Sequence, residues 1–164
     1  MKILVAHFNT FLLSIMSLDH VFGPNRSTAE IYKTSVSEII TSALDGVNGT
    51  IFAYGQTSSG KTFTMHGGED PQSQPGVILM AMRQIFDTIK DTPDREYLLR
   101  ISYLEIYNEV IKDLLDASKM NLKIHETVDR QIFVGNLTED LVMSVDDVMS
   151  AIAKGEGTSY LREK

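Results

Sequence analysis

A chain of 164 residues can bury one real core, and its 43% hydrophobic and 23% charged residues are the mix of an ordinary globular domain. The absence of cysteine excludes disulfides and thiolate metal sites, and a net charge of -7 argues against general nucleic-acid binding. At the N-terminus, Lys2 followed by the apolar-leaning stretch 3–16 has a faint look of a secretory signal, but His7, Asn9 and Thr10 interrupt it and no small-residue cleavage site follows. The stretch reads instead as one or two buried strands, too short and too polar to span a bilayer, and no membrane partner is expected.

Phe22-Gly23-Pro24-Asn25 reads as a turn, and Ser27 to Glu30 has the S-x-x-E form of a helix capping box. Ile31, Val36, Ile39, Ile40, Ala43 and Leu44 then give one apolar face to a helix ending near Gly46. After an Asn48-Gly49 turn, Thr50 to Tyr54 is an unbroken apolar run, the mark of a strand buried on both faces. A second helix should start at Lys61, be interrupted by a polar loop from Gly67 to Pro75, and resume along the stripe Val77, Ile78, Ala81, Met82, Ile85, Phe86 and Ile89, with Pro93 just past its end.

Tyr97 to Tyr107 is β-branched and aromatic and reads as one long strand. Leu122 to Ile124 and Gln131 to Val134 form a hairpin pattern around Asp129-Arg130, and Ser144 caps a last helix carrying Val148, Met149 and Ile152, stopped by Gly155. The alternation of helix and strand favours α/β layers without a domain boundary. His7, His20, His66 and His125 have no metal-ligand spacing with one another and read as surface or packing residues.

The chemistry concentrates at residues 55–62. Gly55, Gln56, Thr57, Ser58, Ser59, Gly60, Lys61 and Thr62 fit G-x-x-x-x-G-K-[ST] at every fixed position. The two glycines let the backbone curl so that successive N–H groups face an anion, and the helix that follows adds its own unpaired N–H groups. Lys61 supplies a point charge for the β- and γ-phosphates, and the Thr62 hydroxyl suits Mg²⁺. The small or polar residues between the glycines keep bulk off the ligand. A strand before the loop and a helix after it give the motif the context it requires.

At this loop the sequence resembles the motor domain of kinesins. The stretch Asn48 to Met65 is similar to the kinesin phosphate-loop block, and three further stretches agree in order. Leu18 to Pro24 resembles the strand-to-turn before the first kinesin helix; Ser102 to Glu109 with Asp113-Leu114-Leu115 resembles a strand–helix block; Leu122, Ile124, His125, Glu126, Val134, Gly135 and 137–139 resemble the hairpin lobe. The similarity covers about residues 17 to 157, with 1–16 and 158–164 divergent, and its wording leans towards the centromere-protein-E-like kinesins.

The resemblance implies a P-loop α/β fold with a central mixed sheet flanked by helices, present without the C-terminal half of the motor. It implies ATP and Mg²⁺ as ligands, a microtubule as partner, ATP hydrolysis coupled to microtubule-based movement in a full-length protein, a coiled-coil dimer, and a place in the cytoplasm on the microtubule cytoskeleton. Residues 55–62 carry over as the phosphate site, with Thr62 on Mg²⁺. Lys123 and Arg130 become candidate microtubule contacts, beside the plainer reading of solvated charges at a hairpin tip.

The departures define the alternatives. Kinesins sense the γ-phosphate through segments of the form N-x-x-S-S-R-S-H and D-x-A-G-S-E, and neither occurs in this sequence. No catalytic residue is therefore identified beyond the phosphate loop. Residues 1–16 hold neither the Arg nor the Pro of the R-x-R-P-like segment that supports adenine in the family, and 77–81 departs from the family wording after Gly76. A nucleotide-binding or interaction fragment without turnover is thus the second reading. An unrelated P-loop kinase is the third, weakened by six arginines scattered at 26, 83, 95, 100, 130 and 162 rather than gathered in a lid. Strands without neighbours would also expose edges and make the isolated chain aggregation-prone.

Overall fold

The structure is a computed structural model that describes residues 3–6, 18–68, 70 and 72–160. Its contacts divide the chain into two compact units, Met1–Asp94 and Arg95–Lys164, with the junction just beyond Pro93.

In the first unit, strand β1 (Ile3–Ala6) pairs in parallel with β2 (Ile51–Tyr54), in the register Ile3 to Ile51 through Ala6 to Tyr54. The remainder of the expected N-terminal strand region lies outside the described residues. The first helical segment is α1 (Thr28–Ile31), continuing through a π segment (Tyr32–Val36) into α2 (Ser37–Leu44). Its start follows from the capping box. The Ser27 hydroxyl accepts from the Glu30 N–H at 3.2 Å, and the Glu30 carboxylate accepts from the Ser27 N–H at 2.9 Å. Its end follows from Gly46, at φ 95°. Helix α3 (Lys61–His66) and helix α4 (Val77–Lys90) flank the polar loop.

Tyr32, Val36 and Ile40 form one stripe that packs with Ile51, Val77 and Ala81 into the core of this unit. Each aliphatic side chain buried there contributes about 1.5–3 kcal/mol by removal from water. Burial pushes the Tyr32 hydroxyl up to about 12, so it remains a protonated donor at neutral pH.

Strand β2 differs from the double-sided burial its sequence implies. Ile51 is 2% exposed, but Phe52 is 49% and Tyr54 58% exposed. The strand pairs with β1 alone among the described residues, and the face that carries Phe52 and Tyr54 is only partly covered.

The second unit holds three antiparallel ladders. Strand β3 (Arg100–Ile101) pairs with β8 (Asp140–Leu141), β4 (Leu104–Tyr107) with β5 (Val110–Asp113), and β6 (Ile124–Glu126) with β7 (Ile132–Val134). Among the described residues the sheet content is therefore mixed in sense, one parallel ladder and three antiparallel ones, each two strands wide. The single long strand expected over 97–107 is broken between Ile101 and Leu104. The expected strand–helix block is a hairpin instead. Asn108 and Glu109, at φ 48° and 64°, make a two-residue turn whose twist matches the strands it joins. Past β5, Leu114 and Leu115 are buried in a turn rather than a helix.

Helix α5 (Val145–Tyr160) starts as expected, with Ser144 Oγ accepting from the Asp147 N–H at 3.1 Å, but it continues through Gly155 and Gly157. Gly155 is not a stop signal because it serves packing. A Cβ there would overlap the Tyr103 ring and lie 3.1 Å from Leu114 Cβ, whereas Gly157 faces open space. Opposite signs follow for two similar substitutions. Gly155→Val should cost about 3 kcal/mol through overpacking. Gly157→Ala should stabilise by up to about 1 kcal/mol through helix propensity alone. Urea unfolding of the two variants checks both; a neutral Gly155→Val would show that the helix can move off Tyr103.

Candidate phosphate-binding site

Strand β2 delivers the chain into residues 55–60, and α3 carries it away from Lys61. Between them the backbone makes two left-handed turns, at Ser58 (φ 63°) and at Gly60 (φ 88°), the residue preceding α3. Non-glycine residues seldom adopt such a φ, so Ser58 carries a small conformational cost that the loop's shape imposes. Alternation of right- and left-handed residues turns successive N–H groups to one side, the geometry of an anion nest. A Cβ at Gly60 would meet nothing within 4 Å, so the glycine answers to its φ and leaves open space beside the loop.

The loop is closed by Ser59 N–H donating to Gln56 O at 3.2 Å, and α3 is started by Thr64 N–H donating to Gly60 O at 2.9 Å. The Lys61 ammonium, half-buried, donates to the carbonyls of Gly55 at 2.9 Å and Gln56 at 2.7 Å. It thereby ties the helix start back over the loop and keeps a positive charge at the loop's mouth. Ser59 Oγ is buried without a hydrogen-bond partner. A buried hydroxyl left unpaired costs about 1–3 kcal/mol, and an acceptor oxygen in the loop would remove that cost. Thr62 is exposed in the first turn of α3.

These features fit a polyphosphate. The loop offers left-handed residues at 58 and 60, an ammonium held at its mouth, a buried unpaired hydroxyl, and no side chain bulkier than Gln56 between its two glycines. Residues 55–60 form the loop, and Lys61 and Thr62 open α3. Ser58 was the residue whose backbone could not be anticipated, because positive φ is signalled in a sequence by glycine and Ser58 is not one. Lys123 and Arg130 lie in the other unit. Lys123 is exposed beside β6, and Arg130 is exposed at the tip between β6 and β7, at φ 61°. Among the described residues no group of three or more His, Asp or Glu side chains is placed to hold a metal ion by itself.

The family model of the kinesin motor domain matches residues 13–163. The chain is 48% identical over 144 residues to "Kinesin-like protein KIN-7D, mitochondrial" of Arabidopsis thaliana, covering 88% of this chain and 13% of that one. It is 46% identical over 147 residues to "Kinesin-like protein KIN-7L" of Oryza sativa subsp. japonica, covering 90% and 22%. Among solved structures it superposes with a TM-score of 0.82 and 36% identity on a fast kinesin whose report concerns "ATPase mechanism and interactions with microtubules", covering 87% of this chain and 41% of that one. The chain thus spans less than a quarter of those two relatives and under half of the solved motor, whose α/β fold it shares over that part. On the family match across 13–163, this chain belongs to the kinesin motor domain family.

Proposed function

We propose that the chain is the nucleotide-binding part of a microtubule motor, and that residues 55–62 bind the polyphosphate of Mg-ATP or Mg-ADP. The carrying observation is the phosphate loop itself, with left-handed residues at 58 and 60 and the Lys61 ammonium held over it. In this reading Gly55 and Gly60 permit the curl, and those main-chain amides of 56–61 that are not bonded within the loop, as the Ser59 N–H is to Gln56 O, face the phosphate oxygens. Lys61 leaves its carbonyl partners for the β- and γ-phosphates, and Ser59 finds an acceptor. Thr62 ligates Mg²⁺, which when bound neutralises charge between phosphate oxygens. Lys123 and Arg130 lie on one hairpin with Glu126 and Asp129, so contact with an acidic polymer such as a microtubule would rest on those two side chains individually and not on a net positive surface.

Binding without turnover is the second reading, favoured by one observation: neither kinesin γ-phosphate-sensing segment occurs within these 164 residues. Titration of the purified chain with Mg-ADP and Mg-ATP by calorimetry tests the first step. One-to-one binding is expected, with stability rising by about 2.7 kcal/mol at a hundredfold excess over Kd. No heat and an unchanged melting temperature at saturating concentrations would refute the reading. Phosphate release, with and without microtubules, then separates the motor from the binding module.

A further inference from the structure

Two glutamines join the segments on either side of the phosphate loop, far from the loop itself. The arm before the loop is α1, the π segment and α2, continued by β2; the arm after it is α3 and α4. From α4, the Gln84 side chain reaches the first arm at three points. Its Oε1 accepts from the Tyr32 hydroxyl at 2.5 Å, and its Nε2 donates to Ser37 O at 3.0 Å and to Thr41 Oγ1 at 3.1 Å. Thr41 Oγ1 in turn donates to Ser37 O at 3.1 Å. From the loop joining α3 to α4, Gln74 Oε1 accepts from the N–H of Thr28 at 3.0 Å; Thr28 is 5% exposed and stands in the first turn of the first arm.

The position of the Gln84 contacts matters. A π turn inserts one residue and disturbs the ordinary carbonyl pairing of the helix, so such turns persist where an outside group compensates. Here Gln84 of the other arm meets the π segment at the Tyr32 hydroxyl and meets α2 just beyond it, at Ser37 O and Thr41 Oγ1. Neither arm has slack to absorb a shift. Gly49 packs so closely on α2 that a Cβ would fall 2.7 Å from Ile39 Cγ2, fixing the lead into β2. Gly67 and Gly76 touch backbone to backbone at the base of the α3–α4 loop, where a Cβ on Gly67 would sit 2.7 Å from Gln74 O. These contacts tie the lead into β2 to α2 and the end of α3 to the start of α4, and the loop at 55–60 hangs between β2 and α3.

We infer that Gln84 is a positioning residue for the phosphate loop: by holding the π turn of the preceding helix against α4, it sets the separation of the loop's two flanks. Its nucleotide effect rests on the phosphate-site reading above; its effect on the loop's backbone does not. The apolar replacement Gln84→Leu is compared with Ile40→Val, a cavity variant in the same core that touches none of these hydrogen bonds. Hydrogen–deuterium exchange of the nucleotide-free chains is read at the amides of 56–62. After correction for each variant's loss of global stability, exchange there should be about fivefold faster in Gln84→Leu than in Ile40→Val, the low end of usual coupling between sites. The Kd for Mg-ADP should rise by a similar factor, again relative to Ile40→Val.

Faster exchange confined to residues 28–44, with 56–62 matching the control, would overturn the inference and leave Gln84 a packing residue. Should Gln84→Leu not fold, Tyr32→Phe removes one hydroxyl of the same network and must move exchange at 56–62 in the same direction, by a smaller factor; no change there overturns the inference equally. If the parent chain binds no Mg-ADP, the phosphate-site reading fails by itself, and the exchange comparison still decides the role of Gln84.

Discussion

Lys61→Ala is expected to weaken Mg-ADP binding on the order of a hundredfold, about 3 kcal/mol, with little change in the melting temperature of the ligand-free chain. The argument is electrostatic. In the ligand-free chain the ammonium satisfies two main-chain carbonyls at the mouth of the loop, and those carbonyls can turn to water when it is removed. The net loss to folding is small, since a hydrogen bond exchanged for one with water is worth about 1 kcal/mol. A polyphosphate brings several negative charges to the same point, and there the compact ammonium has no substitute. Lys61→Arg keeps the charge but spreads it over a planar fork too large for the two carbonyls, so it should fall between parent and alanine. Calorimetric titration of the three chains decides. Equal affinity in Lys61→Ala would mean that the loop amides alone hold the ligand, and that the lysine is a loop brace.

The largest effect on folding is expected at Asp113. Its carboxylate is 1% exposed and serves as a hub. Oδ1 accepts from the N–H of Leu115 at 2.8 Å and of Asp116 at 3.1 Å, and Oδ2 accepts from the N–H of Thr138 at 2.7 Å. It thus closes the turn after β5 and pins the segment that follows β7. Burial pushes its pKa up, but the Thr138 hydroxyl and N–H and the N–H groups of Asp116 and Leu115 outweigh burial and hold the carboxyl below its ordinary value. Asp113→Asn would turn an amide donor towards one of these N–H groups, and should cost about 3 kcal/mol at neutral pH.

The sign of the pH dependence follows from the lowered value. The folded state binds its proton less readily than the unfolded one. The stabilisation is therefore fully present above the unfolded carboxylate value near 3.8 and is lost as pH falls through the lower folded value. Urea unfolding of parent and Asp113→Asn from neutral pH down into that acid range should show two curves converging as the parent weakens. Parallel curves would place the acid sensitivity elsewhere.

Much of this fold was legible because single residues carry unambiguous signals. Ser27 and Glu30 announced the first helix, the apolar stripe from Val77 announced α4, and Asp129-Arg130 marked the β6–β7 turn, all as observed. The G-x-x-x-x-G-K-[ST] pattern of residues 55–62 was legible, and a strand and a helix stand before and after it as the pattern requires.

What escaped depends on partners distant in sequence. The π turn has no local signature, and the side chain that meets it at the Tyr32 hydroxyl, Gln84, lies 52 residues further along the chain. The β4–β5 turn escaped because Glu109 occupies a left-handed position usually marked by glycine. Gly155 misled in the opposite way, a glycine required by Tyr103 rather than by a helix end. Asp113 read as part of a strand–helix block, and only its three amide partners reveal the hub.

The hairpin tip between β6 and β7 is closed within itself. Thr127 N–H donates to Gln131 O, Arg130 N–H donates to Thr127 O, and Gln131 N–H donates to Thr127 Oγ1. Val128 stands fully in solvent above this knot and supports nothing. The position can be relettered at almost no expense to the strands beneath. Evolution, or an engineer, can therefore rewrite the chemistry of this outermost point while the scaffold that carries it stays as it is.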